Sequence, residues 1–155
     1  MSNIPRCEHP RPDRLRQDWL NLNGVWDFEI DNAKVGLEKK FYERDSLDGK
    51  ITVPFSPESV LSGIGHTDFM NAVWYRRNIE IPTAWAGKRV ILHIDACDHT
   101  TRVFVNGKSV GKIPLIYGQT VETEEIKEFC LKFYDGDESE EVICLKMQKT
   151  IVQYT

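Results

Sequence analysis

Alternating apolar and polar residues dominate the middle of the chain and predict β-strands there. Residues 71–82 and 89–98 are rich in β-branched and aromatic side chains, and turn residues close each end of both stretches. A third run, residues 100–105, ends at Asn106-Gly107. Asn-Gly followed by a new apolar alternation is a strong hairpin signal. The pattern therefore predicts an antiparallel meander at the centre of the domain.

Residues 25–30 form a second alternating strand ahead of this centre. Trp26, Phe28 and Ile30 share one face, which the alternation makes the better candidate for the buried face. Trp74 lies in a similar strand, so both tryptophans are predicted to be core residues. A short strand over 51–53 is ended by Pro54.

Two segments between these strands lack a clear period. Residues 31–49 are mostly polar, which predicts a loop with a short turn of helix. Residues 55–70 contain Pro57, Gly63 and Gly65, and they predict a long irregular loop. Long ordered loops are uncommon and often functional, so residues 56–70 are the preferred functional element.

The two ends of the chain give weaker patterns. Residues 1–18 hold three prolines and predict an irregular lead-in to a single domain over 19–155. Apolar residues spaced by three and four within 122–134 are typical of a helix, and 142–146 predict a last strand. With six to nine strands and little helix, the chain is predicted to be all-β, as a two-sheet sandwich or jelly roll.

Composition removes several classes of function. A net charge of -4 in 155 residues argues against nucleic-acid binding, which favours a basic stripe. The four cysteines have no Cys-x-x-Cys spacing, so we expect no metal site and reduced thiols in a cytoplasmic protein. No charged-then-apolar signal segment follows Met1, and no apolar run is long enough to cross a membrane.

No catalytic motif stands out among the residues. The chain has no phosphate-binding glycine loop and no Gly-x-Ser-x-Gly elbow, so we expect no cofactor and no serine nucleophile. Carboxylates are abundant, but retaining glycoside hydrolysis needs two of them about 5 Å apart in a cleft. Sequence does not provide that geometry. The residues alone thus predict a β-sandwich without an identifiable catalytic residue.

Four segments in order give the chain a family resemblance. They are His9-Pro-Arg-Pro-Asp-Arg with Trp19-Leu-Asn-Leu-Asn-Gly-Val-Trp-Asp-Phe; Ile51-Thr-Val-Pro-Phe-Ser-Pro-Glu-Ser with Leu61-Ser-Gly-Ile-Gly; Val73-Trp-Tyr-Arg-Arg; and Trp85-Ala-Gly-Lys-Arg-Val-Ile-Leu-His with Val103-Phe-Val-Asn-Gly-Lys. Together they resemble the N-terminal sugar-binding domain of glycoside hydrolase family 2, the group of β-galactosidases, β-glucuronidases and β-mannosidases.

The resemblance implies a galactose-binding-like jelly roll of two antiparallel sheets. In that family this domain packs against an immunoglobulin-like domain and a catalytic TIM barrel, which carries both catalytic glutamates. The resemblance therefore implies no catalytic residue in this chain, which alone is expected to be inactive, whereas the parent protein would be an O-glycosyl hydrolase. Its implied partners are the remaining domains of such an enzyme and, weakly or indirectly, carbohydrate. A homo-oligomer stays open.

The resemblance also assigns provisional roles to residues. Five are candidates for a sugar cleft or a domain interface: Glu58, Ser59, His66, Asp68 and Asp98. Six are structural signature residues: Trp26, Trp74, Arg76, Arg77, Asn106 and Gly107. Strand alternation sends the two arginines to opposite faces, and one of them is expected to pair with Asp95 or Asp98. Ordinary packing with solvated loop tips is the alternative for residues 56–70.

The chain departs from the family pattern after Gly111. The family continues with Gly-x-His-x-Gly-Gly-Tyr-Thr-Pro-Phe, whereas residues 112–118 read Lys-Ile-Pro-Leu-Ile-Tyr-Gly. For the tail over 146–153 and the missing domains, a frameshifted or prematurely ended reading frame is one explanation, a truncated chain with a divergent tail is the other, and the nucleotide sequence decides between them. Two functions stay open. A domain of a β-glycosidase predicts an exposed apolar patch, whereas a free-standing carbohydrate-binding or interaction module predicts sugar affinity and a polar surface throughout.

Overall fold

The computed structural model of the chain describes residues 4–9, 17–86, 90–94, 100–114, 119–122, 128–131 and 140–148. The chain divides into two compact units, each built from two segments. The first unit is Met1–Trp26 with Lys50–Asp68, and the second is Asp27–Gly49 with Phe69–Thr155. None of the helices in the described residues has the length and hydropathy that a membrane crossing requires.

Strands make up most of the regular structure. The strands are β1 (Gly24–Ile30), β2 (Gly49–Val53), β3 (Ala72–Glu80), β4 (Ile91–Ile94), β5 (Thr100–Val105), β6 (Lys108–Pro114), β7 (Gln119–Glu122), β8 (Glu128–Leu131) and β9 (Glu140–Gln148). Three short 3₁₀ helices accompany them in the described residues: Phe41–Glu43, Val60–Ser62 and Thr83–Trp85. The predicted short turn of helix within 31–49 is thereby confirmed.

The strands form two sheets, which confirms the predicted all-β, two-sheet class. The larger sheet has seven strands in the order β2-β1-β3-β9-β5-β6, with β8 paired to β9, and the smaller sheet joins β4 to β7. Pairing is antiparallel between β1 and β3, β4 and β7, β5 and β6, and β8 and β9. Strand β9 runs parallel to β3 and to β5.

Two predictions about the arrangement are wrong. The central meander fails because β9 lies between β3 and β5, and because β4 pairs with β7 in the other sheet. Alternation along a strand fixes which face each side chain takes, but it does not specify the neighbouring strand. The predicted helix over 122–134 also fails where it is described, since Glu128–Leu131 form β8. Residues 123–127 and 132–134 lie outside the described residues.

The hairpin at Asn106-Gly107 is confirmed. Val105 is opposite Lys108, so two residues connect β5 to β6. Asn106 has φ of 49° and Gly107 has φ of 75°. A type I′ turn needs positive φ at both central positions, which is why Asn-Gly is favoured there.

Trp74 is at the centre of the core of the second unit. Its side chain is buried and packs with three other buried side chains, Phe41, Leu47 and Phe104. The ring centroids of Trp74 and Phe41 are 5.3 Å apart. The prediction that Trp74 is a core residue is confirmed. Two of its partners come from the polar stretch 31–49, so that stretch contributes to the core as well as forming a loop.

The first unit has its own anchor at Trp26. This side chain is buried, as predicted, and its indole Nε1 donates a hydrogen bond of 2.7 Å to the carbonyl oxygen of Leu22. The Asn23 side-chain amide donates to the carbonyl oxygens of Pro5 and Arg6 at 3.1 and 3.2 Å. The two Asn23 bonds connect the described part of the lead-in to the segment that enters β1.

Candidate functional site

The first candidate surface is the loop that sequence analysis selected. Ser59 precedes the 3₁₀ helix Val60–Ser62, and its Oγ accepts a hydrogen bond of 3.2 Å from the backbone N–H of Leu61. Gly63 follows that helix with φ of 84°, a conformation that glycine adopts without strain. The backbone N–H of His66 donates to the carbonyl oxygen of Pro57 at 2.9 Å and closes the loop. We call residues 57–66 the closed loop.

Side-chain hydrogen bonds hold the interior of the closed loop. The Ser62 hydroxyl donates to the carbonyl oxygen of Ser59 at 2.7 Å and accepts from the backbone N–H of Ile64 at 3.0 Å. Ser62 and Pro57 are both buried. The closed loop therefore has a fixed backbone on a buried base, although it contains only a single turn of 3₁₀ helix.

The predicted site residues occupy different positions on this loop. Glu58 and Asp68 are exposed, and Ser59 is half-buried, with its hydroxyl capping the 3₁₀ helix. His66 is half-buried, and its Nε2 is buried with no hydrogen-bond partner. The backbone closure brings Glu58, Ser59 and His66 into one loop. Asp98 lies outside the described residues, and the roles of all five stay predictions.

Apolar side chains project from the same loop into solvent. Val60 is 83% exposed and Leu61 is 64% exposed. Phe69, three residues after His66, is 63% exposed. Isolated exposed apolar side chains are common, whereas contiguous apolar patches mark interaction surfaces, and Val60 and Leu61 are adjacent in the chain. The sequence pattern marked the loop and gave no sign that these apolar residues would be exposed.

The arginine pair on β3 separates as alternation predicts. Arg76 is buried, and its Nη1 lies 3.4 Å from the Asp27 Oδ2 on β1. Its Nε donates a hydrogen bond of 2.7 Å to the carbonyl oxygen of Arg44. Arg77 is half-buried, and burial lowers the pKa of its guanidinium. Asp95 and Asp98, the partners expected for one of the arginines, lie outside the described residues.

A second candidate surface was missed by sequence analysis. It is an open cleft of about 680 Å³ in the second unit, between the end of β1 and the segment that follows it. We call it the Glu29–Arg44 cleft. It is lined by Glu29, Ile30, Asp31, Asn32, Ala33, Val35, Lys39, Phe41, Arg44, Asp45, Ser46 and Asp48.

An ion pair lies within the cleft lining. Arg44 Nη1 is 3.0 Å from Glu29 Oε2, and the side chain of Glu29 is the more buried of the two. The guanidinium carbon of Arg44 lies 3.5 Å from the centroid of the Phe41 ring. Burial raises the pKa of Glu29 above its usual value, while the charge of Arg44 opposes that change. The negative charge of Asp48 raises the same pKa further.

Asp31 fixes the shape of the cleft wall. Its carboxylate accepts hydrogen bonds from the backbone N–H groups of Val35 and Gly36, at 3.0 and 2.7 Å. It also accepts one from the indole Nε1 of Trp74 at 3.2 Å. These donors engage both carboxylate oxygens. Asp31 therefore ties the polar segment to the core and serves a structural role.

Glu29 makes the stability of the protein depend on pH. Because its pKa is raised on folding, the native state binds a proton more tightly than the unfolded state above the ordinary carboxyl pKa of 4.5. The Glu29 contribution to stability is therefore fully present below pH 4.5 and is lost as pH rises through the native pKa. We expect the free energy of unfolding, relative to Glu29→Gln, to fall as pH rises through that window.

Urea unfolding of both proteins at a series of pH values measures this difference. Glu38→Gln is the matched control, since Glu38 is exposed and lies outside the cleft lining. The difference in free energy of unfolding between Glu38→Gln and the unmodified protein should change less with pH across the same window. The expected sign would be contradicted if the free energy of unfolding of the unmodified protein, minus that of Glu29→Gln, rose with pH.

Known proteins similar to the chain are β-glucuronidases. No protein-family model matches the chain. The β-glucuronidase of Paenibacillus borealis is 30% identical over 99 residues, covering 63% of this chain and 17% of that protein. The β-glucuronidase of Felis catus is 30% identical over 116 residues, covering 67% of this chain and 17% of that protein. The chain thus spans about a sixth of the length of these curated relatives.

Solved structures give the same result for the fold. A β-glucuronidase from an uncultured Clostridium species superposes with a TM-score of 0.57 at 25% identity, covering 77% of this chain and 20% of that one. The Ruminococcus gnavus β-glucuronidase in complex with uronic deoxynojirimycin has a TM-score of 0.55 at 20% identity, covering 65% of this chain and 18% of that one. At that identity the likeness concerns the fold alone.

Sequence, fold and relatives therefore agree. The four ordered segments resemble the N-terminal domain of a glycosidase family, and the relatives with related sequences are β-glucuronidases. The all-β fold of the described residues superposes on β-glucuronidase structures. The chain is thus similar in sequence and fold to β-glucuronidases, in agreement with the resemblance to the N-terminal domain of glycoside hydrolase family 2.

Proposed function

We propose that the chain serves as the N-terminal domain of a β-glucuronidase-type glycosidase. In this role it supports carbohydrate binding and hydrolysis by a catalytic domain that lies outside these 155 residues. The relatives support the class of reaction, because the curated matches named above are β-glucuronidases of which the chain covers 17%. The chain itself contributes structure and a docking surface, with no catalytic residue of its own.

The observation that carries this proposal is the apolar tip of the closed loop. Val60 and Leu61 project into solvent from a backbone that six hydrogen bonds within the closed loop hold in place. A rigid turn loses little conformational entropy when a partner covers it, so its apolar side chains are well suited to docking. The neighbouring Glu58 is exposed and would supply a polar rim.

A free-standing carbohydrate-binding module is the second candidate. It predicts a polar surface throughout, whereas Val60, Leu61 and Phe69 are all exposed. It also predicts that the isolated chain binds sugar strongly enough to act alone. The exposed apolar residues favour the domain of a larger enzyme.

A chimera tests the proposed function. In the P. borealis β-glucuronidase, the segment that aligns with this chain is replaced by this chain, and hydrolysis of p-nitrophenyl β-D-glucuronide is measured. We expect turnover from the chimera and none from the isolated chain. A chimera that folds, as judged by its circular dichroism and its mass in solution, yet hydrolyses nothing would overturn the proposal.

Variants of the loop tip add a direct test of docking. Leu61→Asp in the chimera places a charge in the expected interface, and we expect it to reduce activity roughly tenfold or more. Val25→Asp is the matched control, because Val25 is 64% exposed like Leu61 but lies on β1. It should leave activity nearly unchanged. Equal losses from both variants would argue against docking through the closed loop.

A further inference from the structure

The chain contains the dipeptide Asn-Gly twice, at Asn23-Gly24 and at Asn106-Gly107. Asparagine is one of the thermolabile residues of proteins. It loses its side-chain amide most readily before glycine, because no side chain shields the glycine nitrogen that attacks the amide. Both asparagines are half-buried, so exposure does not distinguish them. Their hydrogen bonds do.

The side-chain amide of Asn23 is held in place. Its Nδ2 donates hydrogen bonds of 3.1 and 3.2 Å to the carbonyl oxygens of Pro5 and Arg6. The backbone N–H of Asn23 donates to Asn21 Oδ1 at 2.8 Å, so the main chain is fixed as well. Attack by the Gly24 nitrogen requires a particular rotation of the Asn23 amide, and the two Nδ2 bonds restrict that rotation. Asn23 is therefore protected against this reaction.

Asn106 lies in the two-residue turn that joins β5 to β6, and its amide has no such anchor. Within the described ranges, no residue hydrogen-bonds to the Asn106 side chain. Val105 and Lys108 are opposite each other and close the hairpin, so Gly107 lies beyond the last pair of the ladder. Neither the amide nor the nitrogen that attacks it is thus tied to a described neighbour.

We propose that Asn106 is a site of spontaneous deamidation, whereas Asn23 is protected by its hydrogen bonds. The Gly107 nitrogen bonds to Cγ of Asn106, the Cγ–Nδ2 bond breaks, and Nδ2 takes up the proton of the Gly107 nitrogen and leaves as ammonia. A succinimide ring remains. Water then opens the ring at one of its two nitrogen–carbonyl bonds. Opening at Cγ gives aspartate, and opening at the main-chain carbonyl carbon gives isoaspartate. Water is the only co-reactant, and the reaction is independent of docking and of glycoside hydrolysis.

Isoaspartate would disturb the packing around this turn. It adds a methylene group to the main chain of a loop that the hairpin limits to two residues. The turn lies against the 3₁₀ helix Phe41–Glu43, since a Cβ atom built on Gly107 would be 3.6 Å from Cγ of Glu43. In the same helix, the ring of Tyr42 stacks on Phe104 of β5, with centroids 4.4 Å apart. A longer turn would displace these contacts, so the modification should also lower the stability of the second unit.

Peptide mapping by mass spectrometry tests the proposal on the whole chain. The protein is aged in mildly alkaline buffer and digested, and the fragments that contain Asn23 and Asn106 are compared. Labelling with an isoaspartate methyltransferase identifies the rearranged product. We expect deamidation at Asn106 to be roughly tenfold faster or more, because two hydrogen bonds oppose the reaction at Asn23. Equal rates at the two sites, or faster reaction at Asn23, would overturn the proposal.

Ageing the protein in urea separates the effect of the fold from that of local sequence. Unfolding removes the hydrogen bonds of Asn23, so the two Asn-Gly sites should then deamidate at similar rates. If the difference in rate were as large in urea as in the folded protein, neighbouring residues would set the rates. That result would also overturn the proposal.

The variant Asn106→Gly links the modification to stability. Asn106 has φ of 49°, which glycine also adopts, and glycine has no amide to lose. We expect ageing to shift the urea midpoint of the unmodified protein to lower concentration and to leave the midpoint of Asn106→Gly unchanged, each compared with its own fresh sample. Equal shifts in the two proteins would assign the loss to another site and overturn the effect proposed for this turn.

Discussion

Replacing Trp74 with alanine is expected to lower the free energy of unfolding by about 3–5 kcal/mol. Its side chain is 1% exposed and packs against Phe41, Leu47 and Phe104, so its removal leaves a large cavity. The replacement also removes the indole donor that binds the Asp31 carboxylate at 3.2 Å. Because domains of this size are stable by about 5–15 kcal/mol, such a loss would leave the fold marginal.

Gly36 limits how this core can relax. A Cβ atom built on Gly36 would overlap the Trp74 indole, so the backbone there is in direct contact with the ring. In Trp74→Ala the Gly36 backbone loses its contact with the ring. The Gly36 N–H still donates a hydrogen bond of 2.7 Å to the Asp31 carboxylate, which keeps that backbone in place. A wall held this way collapses poorly into the cavity, which places the expected loss in the upper part of the range.

Urea titration followed by circular dichroism measures the loss in Trp74→Ala. Trp74→Phe is the control, since phenylalanine keeps a ring in the core and removes the hydrogen bond to Asp31. We expect this variant to lose clearly less stability than Trp74→Ala. A loss below about 1 kcal/mol in Trp74→Ala would contradict the central position of this residue.

The strands could be predicted from sequence, and their partners could not. Alternation located β1, β3 and β5, and Asn106-Gly107 located the hairpin, because these signals are local in the chain. The position of β9 between β3 and β5 depends on contacts with residues some 40 to 70 positions away. Hydrophobic periodicity contains no information about such distant contacts, which is why the predicted meander was wrong.

The candidate sites show the same division between local and distant signals. Proline and glycine marked the closed loop, whereas its exposed Val60 and Leu61 looked like ordinary apolar residues. The Glu29–Arg44 cleft escaped notice because its ion pair joins residues that are 15 positions apart across a polar segment. A sparse set of charges gives no indication of a concavity until the backbone brings them together.

Asp27 shows most clearly what periodicity misses. Alternation put it on the face opposite Trp26 and Phe28, yet it is 9% exposed. The cause is Arg76, which lies directly opposite it in the register of β1 and β3. From sequence, Asp27 looks like a solvent-facing charge, and the partners expected for one of the β3 arginines were Asp95 and Asp98 instead. Pairing between Asp27 and Arg76 makes burial of both tolerable, since a buried charge needs a partner.

Replacing Arg76 with methionine is therefore expected to cost about 3–5 kcal/mol of stability. The variant leaves the buried Asp27 carboxylate without the opposite charge that lies 3.4 Å from it. It also removes the Nε donor from the carbonyl oxygen of Arg44. Both side chains of the pair are nearly inaccessible, at 4% and 11% exposure, so water cannot replace the missing partner without structural change.

A double-mutant cycle measured by urea unfolding separates the pair from its surroundings. The distance of 3.4 Å is long for a charge-assisted hydrogen bond, so attraction between the two charges offsets their desolvation only partly. We expect Asp27→Leu with Arg76→Met to be more stable than Arg76→Met alone, because the double variant buries no unpaired charge. If the loss of unfolding free energy in the double variant instead equalled the sum of the losses in the two single variants, the two charges would act independently. Pairing would then not explain why Asp27 is buried.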